Sequence, residues 1–115
     1  MGTSIAKQFQ TKTVSEIRNA SVSFVDMLDG SELLTGTPTV TELTTTDLTL
    51  TNAAINTVAL TIDGDPVGLS QAVTFRISGG VANTFYSIQI VATTDAAVAQ
   101  TLYGTVILQV IADNA

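Results

Sequence analysis

Asp63-Gly64-Asp65-Pro66 is the tightest grouping of acids in the sequence, with two carboxylates one residue apart. Two oxygens at that spacing could face a calcium ion, but calcium takes six to eight oxygen ligands. No second acid-rich stretch lies nearby, so a solvated turn is expected, with each Asp bonding local backbone. Asn19-Ala20-Ser21 fits the glycan-acceptor triplet, which has meaning only in a secreted eukaryotic chain. Ser78-Gly79-Gly80 supplies small residues where a phosphate could approach, yet no helix start follows it. With Cys 0 and His 0, the commonest nucleophile–base pairs and transition-metal ligands are missing from the composition. No catalytic residue, metal or cofactor is therefore expected, and the chain is read as a non-enzyme.

The elements that carry these residues read as strands. Thr, Val and Ile dominate, and β-branched side chains suit a pleated surface. Val22 and Phe24 alternate with Ser21 and Ser23. A second strand is expected over Thr37–Leu43, opening at Pro38 and slipping in period between Val40 and Leu43. Leu48 and Leu50 mark a third, ended by a loop at Asn52. Val58, Leu60 and Ile62 mark a fourth. Val73, Phe75 and Ile77 share one face, as do Tyr86, Ile88, Ile90 and Ala92. Leu102, Val106, Leu108 and Val110 line the last strand, whose other face carries Ile107 and Ile111. Asp29-Gly30, Asp63-Gly64 and Gly79-Gly80 punctuate the series as turns. Seven or eight short strands with a turn about every ten residues predict an all-β, two-sheet antiparallel sandwich. In such a fold Phe24, Phe75 and Tyr86 are core. Phe85 and Tyr103 fall on the opposite parity and are candidate contact residues.

Size and charge narrow the function. At 115 residues the chain is one domain, burying roughly 65% of its unfolded surface. A net charge of −6 with four scattered cations leaves no basic stripe for phosphates, so neither nucleic acid nor an anionic membrane is an expected partner. The opening residues lack the basic-then-apolar order of a signal peptide, and the lack of Cys fits folding in a reducing cytoplasm. Only 12% of residues are charged, too few to blunt every sheet edge, so some edge should be covered in the working assembly.

Residues 1–18 stand apart from 19–115. Three of the four cations lie there and no period holds. They are read as an extended N-terminal arm, able to reach roughly 60 Å, that either frays or orders on a neighbouring subunit. Its removal is expected to leave the sandwich folded. Phe9, Ile17 and Arg18 on this arm, Ala97 and Val98 at the tip of the last hairpin, and Tyr103 are the candidate protein-interface residues.

The ordered features of 20–111 bear on identity. They run Val22-Ser23-Phe24-Val25-Asp26-Met27-Leu28-Asp29, then Ser31 to Val40, then Val73-Thr74-Phe75-Arg76-Ile77-Ser78-Gly79-Gly80 leading to Tyr86, and Thr105 to Val110 at the close. This order resembles the fibre–tail adaptors of tailed bacteriophages, which are single immunoglobulin-like virion proteins. Phe24 and Met27 stand where that family often has Trp, and Ala96-Ala97-Val98-Ala99 replaces a short polar hairpin. The resemblance implies that the sandwich is immunoglobulin-like and that the chain is a virion structural protein, made in the host cytoplasm, that links tail or baseplate to fibres and forms a symmetric multimer with other virion proteins. The alternatives are a capsid decoration or cement protein and an adhesin-like glycan-binding module. The resemblance also suggests Tyr86 as a corner tyrosine whose hydroxyl bonds backbone across a turn.

Overall fold

A computed structural model describes residues 5–28, 32–43, 45–62 and 64–113, with side chains from Gln8 onward. Among the described residues nine strands follow one another: β1 (Ile5–Thr13), β2 (Arg18–Ser23), β3 (Leu34–Glu42), β4 (Leu48–Ile55), β5 (Leu60–Ile62), β6 (Asp65–Val67), β7 (Ala72–Gly79), β8 (Thr84–Thr94) and β9 (Thr101–Ile111). One 3-10 turn, Val25–Met27, follows β2. The order β1-β9-β8-β3 makes a four-stranded sheet and β2-β7-β4 a three-stranded one, while β5 and β6 form a small hairpin. The two larger sheets stack as an immunoglobulin-like sandwich.

The core follows from alternation. Phe24, Phe75, Ile77, Tyr86, Ile88, Ile90, Val106, Leu108 and Val110 are all buried in one cluster between the sheets. Each comes from the parity that its strand pattern assigns inward. Burial of these side chains at roughly 25 cal/mol per Å² is the main favourable term.

Five features depart from the sequence expectation. Residues 5–13 of the expected arm are not free: they form β1, paired along its length from Ile5↔Tyr103 to Thr13↔Ile111, while residues 1–4 lie outside the described residues. That pair is parallel, so the sandwich is not wholly antiparallel. The whole domain separates these strands in sequence, which supplies the long crossover that parallel neighbours need. β3 starts at Leu34, and its irregularity lies between Thr35 and Thr39 rather than after Val40. Asn52 does not end β4; it adopts φ 58 within a bulge between Thr51 and Ala54, and pairing with β7 resumes. Val58 is exposed and outside β5. The expected turn residues Asp29, Gly30 and Asp63 lie outside the described residues.

The bulges sit where an edge needs them. β3 and β4 are edge strands, and a register break twists each away from open pairing. β1 is the other edge of the four-stranded sheet, and it turns a charge inward. Lys12 is 1% exposed. Its ammonium donates to the carbonyls of Thr13 (2.6 Å), Val14 (3.1 Å) and Gly79 (2.6 Å). Three protons meet three acceptors, which ties the end of β1 to the β7–β8 turn. Gly79 has φ +84, and a Cβ there would sit 2.7 Å from the Asp47 carbonyl, so only glycine fits this turn.

Candidate interaction surface

The two outward faces of the sandwich differ in chemistry. On the three-stranded sheet the outward residues are polar, among them Asn19, Ser21, Thr49, Thr74, Arg76 and Ser78. The Arg76 guanidinium donates weakly to Asn19 Oδ1 at 3.4 Å. An open groove of about 320 Å³ lies here, lined by Asn19, Ser21, Asn52, Thr74, Phe75 and Arg76. Two residues of β1, Gln8 and Gln10, line a second groove of about 230 Å³ with β2 and β5.

On the four-stranded sheet the outward parity is β9 Tyr103, Thr105, Ile107, Gln109 and β8 Phe85, Ser87, Gln89, Val91, with Phe9 on β1. Phe9 is 60% exposed, Phe85 59% and Tyr103 46%. Phe9 pairs with Ile107, which pairs with Ser87, so β9 runs between the two phenylalanines. Their rings meet edge to face across it, centroids 6.5 Å apart at 79°. That geometry is favoured by the ring quadrupoles and fixes both side chains while leaving their outer faces in solvent.

Sequence-nominated residues thus divide among three places. Phe9 and Tyr103 share the outward face of the four-stranded sheet. Ile17 and Arg18 are exposed at the β1–β2 junction. Arg18 reaches Glu16 at 3.1 Å in an exposed ion pair. Ala97 and Val98 lie at the β8–β9 tip, at the opposite end of the strands, with Val98 83% exposed. The six do not form one patch. Phe85 joins Phe9, an association legible in its outward parity but not in its sequence distance.

The polar groups inside the fold are engaged structurally. The Tyr86 hydroxyl accepts from the Val81 amide at 2.8 Å and donates to Asp47 Oδ2 at 2.9 Å, the corner arrangement the sequence suggested. Burial pushes its pKa up. Asn56 is buried with all four bonding positions filled: its amide donates to the Val58 and Gly68 carbonyls, and its oxygen accepts from the Gln71 and Ala72 amides. It fixes the β5–β6 excursion, and pattern reading missed it because a lone Asn between strands looks like any loop residue. Burial pushes the Lys12 ammonium down, opposed by the charges of Glu16 and Asp113. The Thr13 amide beside Glu16, and the Ser15 hydroxyl beside Asp113, hold those two carboxyls below their ordinary range.

Among the described residues no group of three or more His, Cys, Asp or Glu could hold a metal ion. Among the described residues no helix is long and apolar enough to cross a membrane. Compared with protein-family models, with curated proteins and with solved structures, the chain has no match.

Proposed function

We propose that this chain acts by binding other proteins, as a structural component of a bacteriophage particle, most specifically an adaptor between tail or baseplate and fibres. The observation that carries a binding role is the outward face of the four-stranded sheet, where Phe9, Phe85 and Tyr103 project from a rigid sheet into solvent. Aromatic rings on a rigid support lose little entropy on contact and are enriched where proteins bind. The assignment to a virion rests on the resemblance of 20–111 to the phage adaptors. In a symmetric particle one modest contact recurs many times, so a small face can hold firmly.

The test is quantitative mass spectrometry and cryo-electron microscopy of particles purified from the phage that encodes the chain. The adaptor role expects the chain in the tail at a copy number set by the tail's rotational symmetry. Hundreds of copies on the head would move the assignment to capsid decoration, and absence from particles would end the virion role. The exposed Phe85 and Tyr103 rings also suit sugar stacking. Specific glycan-array binding, lost on changing either ring to alanine, would favour the adhesin alternative.

A further inference from the structure

We infer that the outward face of the four-stranded sheet is a self-association surface, on which a second copy of this chain packs sheet to sheet about a two-fold axis. The inference deepens the binding role proposed above by naming a partner. Charge is the first argument. The chain carries −6, so two copies repel wherever acids face each other. Yet β1, β8 and β9 contain no Asp or Glu. The one acid on the sheet, Glu42 of β3, has its carboxylate bound to the amide of Leu48, at the start of β4 in the other sheet. Glu16 and Asp113 lie at one end of the strands and Asp95 just beyond the other. A like-charged copy can therefore approach the face that holds the exposed rings without carboxylate meeting carboxylate; the three-stranded sheet is equally free of acids, but it carries Arg18 and Arg76 and no exposed aromatic ring.

Area is the second argument. Four strands at ~4.8 Å spacing and about ten residues at ~3.4 Å rise give a face of roughly 19 by 34 Å, near 650 Å² in projection. Side-chain relief brings that close to the ~800 Å² per partner of a standard stable interface. Packed sheets of this kind keep a spacing of about 10 Å with side chains interdigitated. An isologous contact would bury Phe9, Phe85, Tyr103, Val91 and Ile107 from both copies, while the intervening Gln89, Thr105 and Gln109 of β8 and β9 carry no charge to desolvate.

The experiment is sedimentation velocity of the full chain from about 1 to 200 μM, with circular dichroism as the fold control. The parent is expected to pass from monomer to dimer with concentration. Phe85→Glu and Tyr103→Glu, at exposed positions, should remain monomeric with an unchanged spectrum. Arg76→Glu on the opposite face should dimerise as the parent does. A parent that stays monomeric throughout, or a folded Phe85→Glu that still dimerises, overturns the inference. A second measurement does not depend on the glutamate variants folding. The chain lacks cysteine, so Thr105→Cys carries the only thiol. Its alkylation should slow at least tenfold between low and high protein concentration, and an unchanged rate also overturns the inference. A dimer in solution with no chain in particles would retain this inference and end the virion role. A monomer that is nonetheless incorporated would do the reverse.

Discussion

Two residues show how single side chains hold this sandwich together. Tyr86 is buried to the ring edge, and its hydroxyl links the Val81 amide to the Asp47 carboxylate. Tyr86→Phe keeps the ring packing and strands the Val81 amide. A loss of about 1–2 kcal/mol is expected, read as a lower midpoint in urea; a loss near zero would mean that water replaces the hydroxyl. Lys12 organises the opposite electrostatics. Its buried ammonium is satisfied by carbonyls, while Glu16 and Asp113 supply negative charge nearby. Both carboxyls titrate lower in the folded chain than their ordinary values of 4.5 and 3.8. A depressed carboxyl pKa means that the folded state holds fewer protons than the unfolded one in that window. Their stabilisation is therefore complete above about pH 4.5 and is lost as pH falls through the folded values. The urea midpoint of the parent should fall below pH 4.5 more steeply than that of a Glu16→Gln, Asp113→Asn double variant. Parallel curves would show that the pair is indifferent to folding.

At the scale of elements, the alternation of apolar residues was enough to find most strands and assign their faces. Tyr86–Ala92 and Leu102–Val110 lie inward as their period requires, because a buried antiparallel pair gives a clean two-residue repeat. β1 was not legible, for a physical reason. Its inward parity carries Gln8, Gln10 and Lys12, so it shows no apolar period; it is held by backbone pairing with β9 and by the Lys12 carbonyl bonds instead. The bulge at Asn52 likewise hides a continuing strand behind a loop-forming residue. Two predictions separate the ends of the molecule. Removing residues 1–13 uncovers the β9 backbone and removes Lys12, so the truncated chain should melt well below the parent and aggregate. A truncated chain with the parent's melting temperature would restore the view of the segment as a dispensable arm. Ala97→Asp with Val98→Asp alters a tip that is open to water, so its melting temperature should stay within about 2 °C of the parent, in keeping with exposed substitutions. A larger fall would place the tip inside the fold.

The whole molecule is an acidic body whose ring-bearing sheet face is free of carboxylates, and salt reads that distribution directly. Two copies packed face to face would place their centres about 25 Å apart, given a body 27 × 25 Å in cross-section. Two charges of −6 at that distance in water repel by roughly 6 kcal/mol before screening. With a Debye length of ~30 Å at 0.01 M and ~10 Å at 0.1 M, the repulsion drops to about 2.5 and then about 0.5 kcal/mol. The difference of about 2 kcal/mol corresponds to a dimer tightening roughly 30-fold between those salt concentrations. The apolar contact itself strengthens only slightly over that range, so the slope reports the charge at the rim. An interface built on ion pairs would show the opposite slope, because salt screens attraction as readily as repulsion. The ionic-strength series by sedimentation therefore tests the interface through its charges alone. Tightening with salt fits the acid-free sheet face, and weakening would move the contact to Arg18, Arg76 or another charged site.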